Sequence, residues 1–455
     1  MLQFKVIERN FAKLQKIVSK SYLSDCSMTL LENGINNRVK HLLIENPYVD
    51  KDYRSIYYSD LSKRHREYSR DVCRVHLYSQ TKGELTIDSV DKGYLGFFTL
   101  RESLENSIGR SYIDPKALKS VSGWIMKTKF KAHVFGKTMD IFTFPWMQQD
   151  INISRCAHVS LWSIMRYFGR KNRGYPNFTL GKLVELVKSD KRKIPSNGLT
   201  ILQAVQALSD FGFSTEIFAR SIVGDKHFNQ IIQYYIESGI PIMAALAEKA
   251  HAVTLVGHGM PNSSIGHFNN DKNAKIVDSF ELVESWLSVN DNFLPFSKLT
   301  KINNDHDLCM NDISAIAVPL NDKMYITPAN IINNYLPSFE SKTKELKNQK
   351  LMRRVFMTSA KKLKKTALQF DSINYKQFVL SLRMPKFIWV IEYSTPENYE
   401  EKRVDYRVVI DSTATVDGFD AVMFFQGKNV IIANEKQYNI SDGNTPMLCG
   451  NLKKV

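Results

Sequence analysis

The stretch Cys156-Ala-His-Val-Ser-Leu-Trp-Ser-Ile-Met-Arg-Tyr-Phe-Gly169 decides how the chain is read. Its apolar residues Leu161, Trp162, Ile164, Met165 and Phe168 recur at the spacing of one broad helical face, and Gly169 supplies a stop signal. A helix that begins near Cys156 puts the thiol in its first turn. Unpaired backbone N–H groups and the positive end of the helix dipole favour an anion there, so the thiol is expected to ionise more readily than its ordinary pKa of about 8.5 implies. Position alone marks Cys156 as a nucleophile among five cysteines, at 26, 73, 156, 309 and 449.

A thiolate that attacks a carbonyl needs a partner to hold and return a proton, and histidine titrates in the required range. Of ten histidines, His251 stands out because it opens His251-Ala-Val-Thr-Leu-Val-Gly257, a β-branched strand. Gly239-Ile-Pro-Ile-Met-Ala-Ala245 reads as its hairpin or sheet neighbour, and a histidine at a strand's beginning can face a helix terminus. Further on, Trp286-Leu-Ser-Val-Asn-Asp291-Asn292-Phe-Leu-Pro295 reads as an apolar strand ending in Asn-Asp-Asn before a proline turn. Asp291 is the candidate to orient the imidazole and stabilise its charge, with Asn292 and Asp278 as alternatives. Upstream of the thiol, Gln148 and Gln149 offer amide donors that could reach an oxyanion beside the backbone N–H of Cys156.

Glutamine shortly before a helix-starting cysteine, a later His-Ala-Val-Thr-Leu-Val-Gly strand and an Asn-Asp strand end together resemble the papain-like cysteine peptidases. The likeness is greatest to the bacteriocin-processing type and its soluble bacterial relatives, and it covers roughly residues 141 to 320. It implies an α+β papain-like core, with a helical half and an antiparallel sheet half. It also implies Cys156 as nucleophile, His251 as general base and acid, Asp291 as imidazole orienter and Gln149 as oxyanion donor. Two positions depart from the family pattern. Ala157-His158 follows the cysteine where family members carry glycine, and Asp150 stands where their glutamine lies. Either a bulge brings Gln149 into reach, or Gln148 serves instead, or the oxyanion hole is altered. The expected activity is thiol-dependent hydrolysis of a peptide or isopeptide bond through an acyl-enzyme thioester, without metal or cofactor. The alternatives are acyl transfer, in which an amine resolves the thioester, and an inactive peptidase-like module that binds nucleic acid or an acidic partner.

Working outward, a chain of 455 residues suits two or three domains. Residues 1–140 read as an N-terminal mixed α/β region, with a charged helical stretch Asp60 to Arg70 and a strand Gly93 to Leu100. A hairpin, Phe130 to Phe135 and Thr138 to Phe144 around Gly136-Lys137, leads to Pro145–Asp150. Residues 141–325 form the peptidase-like domain, with further helices at Leu180 to Lys188 and Thr200 to Phe211 and a last strand at Ile313 to Leu320. Helices first and strands afterwards indicate α+β. Thr327-Pro328 then offers an N-cap and first helical position, opening a C-terminal mixed α/β region, 326–455. That region is lysine-rich to Lys365 and carries strands at Phe387 to Ser394, Tyr406 to Asp411, Ala421 to Gln426 and Val430 to Ala433, the last two joined by Gly427-Lys428-Asn429.

Five scattered cysteines without a CxxC pair argue against a disulfide framework and a structural zinc site, and fit a reducing, cytoplasmic compartment. Cys26, Cys73, Cys309 and Cys449 read as small buried hydrophobes. His158, His258 and His267 with Cys156 match no common zinc spacing, and His158 is expected to be exposed or to line the cleft. Phe142, Phe144 and Trp146, at alternate positions, read as core. The charged N-terminus lacks the apolar run of a secretory signal, and Ile240 to Ala247 and Ile313 to Leu320 fall short of the roughly 20 residues that span a bilayer, so no membrane contact is expected. The expected partner is a peptide or protein substrate. A formal charge of +16 leaves room for an acidic partner, with nucleic acid less favoured.

Overall fold

The computed structural model describes residues 3–80, 89–103, 105–150, 154–172, 174–187, 198–259, 276–301, 308–343, 346, 349–370, 372–415, 421–428, 430–433, 436–439, 445–448 and 450–455. Lys188, His267, Asn429 and Cys449 lie outside the described residues.

Helices and antiparallel sheets share the chain, as the sequence pattern indicates. The central sheet has the order Ser297–Thr300, Ser285–Val289, His251–Gly259, Ile242–Leu246, Ala315–Leu320, Ser214–Ala219, each strand antiparallel to its neighbour. The helix Cys156–Lys171 lies against one face of it. Leu161, Trp162, Ile164 and Met165 are buried there with Met243, Ala252 and Ala317 from three adjacent strands. Gly169 does not end this helix. A Cβ at that position would make only ordinary contact with Tyr175–Asn177, at 3.6–3.7 Å, and Asn172 closes the helix by donating its N–H to the Phe168 carbonyl. The helix Ile201–Asp210 follows, capped by Thr200.

An N-terminal antiparallel sheet runs Gln3–Glu8, His41–Tyr48, Val72–Tyr78, Tyr94–Leu100, Ile108–Ile113. The hairpin Thr128–Val134 and Lys137–Thr143 packs beside it, turning at Phe135-Gly136, both left-handed. No helix spans 60–70. The helix lies earlier, at Lys51–Ser59, where Asp50 caps two backbone N–H groups and Tyr53 and Ile56 give a buried i, i+3 pair. From Asp60 to Arg70 only Leu61 is buried, so a helix there would have no apolar stripe to bury. Phe144 and Trp146 are core, but Phe142 is 48 % exposed, because the hairpin strand ends at Thr143 and the facing reverses beyond it. Cys73 and Cys309 are buried, whereas Cys26 is exposed.

The C-terminal sheet begins with a strand from the central segment. Ile276–Asp278 pairs in parallel with Leu351–Ser359, followed by Phe387–Ser394, Tyr406–Asp411, Val422–Gln426, Val430–Ala433 and Lys436–Asn439. Trp124–Ile125 joins the His251 strand on one side and Lys453–Lys454 on the other. Gly123 and Gly257 allow this approach, since a Cβ on either would strike the opposing backbone. Strands thus cross the sequence positions 140 and 325 in both directions. Among the described residues, no helix is long and apolar enough to cross a membrane.

Candidate active site

Cys156 is the first residue of its helix and half-buried. Backbone N–H groups of Ala252, Ala157 and Cys156 itself favour the thiolate. Ala252 follows His251, so the helix start lies near the strand start, though no hydrogen bond joins Cys156 to the His251 ring among the described residues. The thiol pKa is nevertheless raised. Burial is the largest cause, the Asp291 carboxylate adds to it, and the three N–H groups only partly oppose them. The expectation of an easily ionised thiol therefore fails: the helix terminus acts as foreseen, but desolvation outweighs it.

The His251 ring is held through one nitrogen. Nε2 lies 3.0 Å from Asn290 Oδ1, which also accepts the backbone N–H of Asn292 at 2.9 Å. An amide oxygen only accepts, so Nε2 carries a proton and donates its hydrogen bond to Asn290. Nδ1 makes no hydrogen bond among the described residues. Asn290 is fixed in turn by Trp146, whose indole N–H donates to the Asn290 carbonyl at 2.7 Å. Asp291 Oδ1 stands 3.5 Å from the same Nε2. Asp291 is 3 % exposed, neither of its oxygens is hydrogen-bonded, and burial pushes its pKa up to about 6 against the pull of His251.

Asn290 is the site residue that the sequence reading missed. Its signal was strand parity. Thr254 pairs with Val289, so one further step sets Asn290 opposite Val253, on the face shared by alternate residues Val253 and His251. Of the upstream glutamines, Gln148 is buried and committed elsewhere: its Oε1 accepts from Ser27 Oγ at 2.8 Å and the Ile108 N–H at 2.9 Å, pinning the N-terminal sheet. Gln149 is half-buried with no side-chain hydrogen bond among the described residues, so both its oxygen and its N–H donors are uncommitted, whereas the Gln148 side chain is anchored through its oxygen.

His158 is neither exposed nor in the cleft. It is 2 % exposed, its Nδ1 accepts the Arg155 N–H at 3.3 Å, and burial depresses its pKa to about 4. At the third helical position, a neutral imidazole turned back onto the N-cap backbone satisfies an otherwise orphaned donor, a structural role that the sequence pattern alone did not reveal. His258, at the far end of the His251 strand, pairs with Glu237 at 2.7 Å. Among the described residues no cluster of three metal-ligating side chains occurs. No protein-family profile, characterised protein or solved structure matches the chain.

Proposed function

We propose that the chain is a thiol-dependent peptidase with a papain-like core, hydrolysing a peptide or isopeptide bond. The observation that carries this reading is the proximity of helix start and strand start: the Ala252 backbone N–H favours the Cys156 thiolate, and the preceding residue is a His251 whose Nε2 is held by Asn290. Because the thiol resists ionisation, proton transfer to Nδ1 accompanies attack on the carbonyl carbon and does not precede it. The Cys156 and Ala157 N–H groups, which favour the thiolate in the resting state, turn to the developing oxyanion, with the Gln149 amide as the side-chain donor. The imidazolium then protonates the departing amine. Water, activated by the same imidazole, resolves the thioester.

The raised thiol pKa and the committed Gln148 favour one second reading, an inactive peptidase-like module that only binds. The two separate by mass spectrometry. For the enzyme, iodoacetamide modifies Cys156 at neutral pH well ahead of the buried Cys73 and Cys309, and peptide cleavage is abolished in Cys156→Ala. If Cys156 stays unmodified and the chain binds peptides equally well with and without the thiol, the peptidase reading is lost.

A further inference from the structure

A cavity of about 270 Å³ adjoins the amide that holds His251. It is walled by Phe293, Phe296, Leu299 and Leu308, and Asn290 lines it as well. Lys119 and Ser120 from the N-terminal segment and Lys298 from the sheet complete the lining. The size is informative. Pockets for drug-sized ligands run from roughly 300 to 1,000 Å³, so this one takes a single side chain and its flanking backbone.

Backbone strain independently singles out the same place. Among the described residues six non-glycine residues have positive φ, and two line this cavity. Phe296 (φ 70°) and Ser120 (φ 58°) both line the cavity, and Ala250 (φ 46°) immediately precedes His251. Each such residue costs on the order of 1–3 kcal/mol and persists where the surroundings over-determine it, which is typical of ligand-contacting sites. Phe296 holds this conformation with its side chain buried, while Phe293, in the same loop and also lining the cavity, is 43 % exposed.

The chemistry of the lining narrows the occupant. The Ser288 and Ser297 hydroxyls bond to each other at 2.9 Å and offer little to a ligand. Lys298 makes no ion pair among the described residues, and Lys119 donates only to the Glu32 carbonyl at 3.0 Å. Apolar walls under two ammonium groups fit an apolar side chain with a carboxylate beside it.

We propose that this cavity binds the leaving-group side of the substrate, an apolar residue carrying or followed by a carboxylate, so that the occupant rests on Asn290 and steadies His251. The assignment rests on the peptidase reading for its purpose but not for its binding chemistry. The two are tested apart by titrating N-acetylphenylalanine into the full chain calorimetrically, and by following Cys156 alkylation with and without it. Saturable binding is expected, about tenfold weaker in Phe293→Ala, where a largely apolar contact is lost, and up to about fivefold weaker in Lys298→Met. Both residues are exposed, and neither substitution disturbs the core. N-acetylphenylalaninamide should bind more weakly, and comparison with N-acetylphenylalanylglutamate amide tells whether the carboxylate is terminal or a side chain's. Bound probe should also change the alkylation rate, through Asn290. Absent binding, or binding indifferent to both the carboxylate and Phe293, overturns the proposal even if Cys156 is reactive. An inert Cys156 with intact binding overturns only the peptidase reading.

Discussion

Two adjacent residues act on one imidazole, and their chemistry divides the work. Asn290 gives Nε2 a neutral acceptor, which fixes tautomer and ring orientation without altering charge. Asp291 gives it a charge at 3.5 Å but no hydrogen bond, and is itself buried with no donor beyond its own backbone N–H. That arrangement is costly. The folded-state pKa of Asp291, about 6, lies above the ordinary 3.8, so between those values the folded chain binds more protons than the unfolded one. Stability therefore falls as pH rises from about 4 to about 6 and stays lower above that. A shift of this size corresponds to on the order of 2–3 kcal/mol. Asp291→Asn should recover it: the variant gains stability over the parent at pH 7 and little at pH 4, measured by urea unfolding. Activity should move the other way, about tenfold down at pH 7, because the imidazolium loses its counter-charge. A variant destabilised at pH 7 would mean that Asp291 is held by donors, contrary to this account.

At the scale of elements, the helix that carries Cys156 is clamped from far away in sequence. Asp52, in the N-terminal helix Lys51–Ser59, accepts the Trp162 indole N–H at 3.0 Å, the Arg166 guanidinium at 2.6 Å and the Leu180 N–H at 3.1 Å, all through Oδ1. Arg166 is almost wholly buried, so removing its carboxylate strands a charge. Asp52→Ala should cost about 3–5 kcal/mol in chemical denaturation, and Asp52→Asn, which keeps an acceptor oxygen, clearly less. Equal losses in the two would show that charge is not what the helix needs. This clamp also explains where sequence reading stops. The Cys156 helix and the His251 strand were legible because each announces itself locally, by a 3.6-residue apolar period or a β-branched run. Asn290 required the strand register. Asp52 meets partners more than a hundred positions away, and nothing within the Lys51–Ser59 segment signals them. The thiol's raised pKa was hidden for the same reason, since desolvation depends on what packs over the helix start.

Across the whole molecule, buried charge ties the central sheet to its neighbours. Glu237, on the helix Asp225–Glu237, pairs with His258 at 2.7 Å and meets Arg354 of the C-terminal sheet at 3.9 Å. Arg354 reaches Glu392, which is held by Arg407 at 2.8 Å and by the Leu448 N–H at 3.0 Å. Asp278 receives Arg353 at 2.7 Å beside the shared strand pairing of Ile276–Asp278 with Leu351–Ser359. On the other side, Gln148 and Asp52 bind the N-terminal segment to the residues flanking Cys156. A fragment of residues 141–325 would keep Glu237, Asp278 and Arg166 but lose Arg354, Arg353 and Asp52, leaving three formerly buried charges without those partners. Each such loss costs several kcal/mol against a total stability of about 5–15 kcal/mol. The fragment should therefore show no cooperative unfolding. The full chain should unfold in one transition, with tryptophan fluorescence and far-ultraviolet circular dichroism giving the same midpoint. Separate midpoints for the two probes, or a 141–325 fragment with dispersed amide resonances, would instead make the central sheet an autonomous unit whose flanking sheets are accessories.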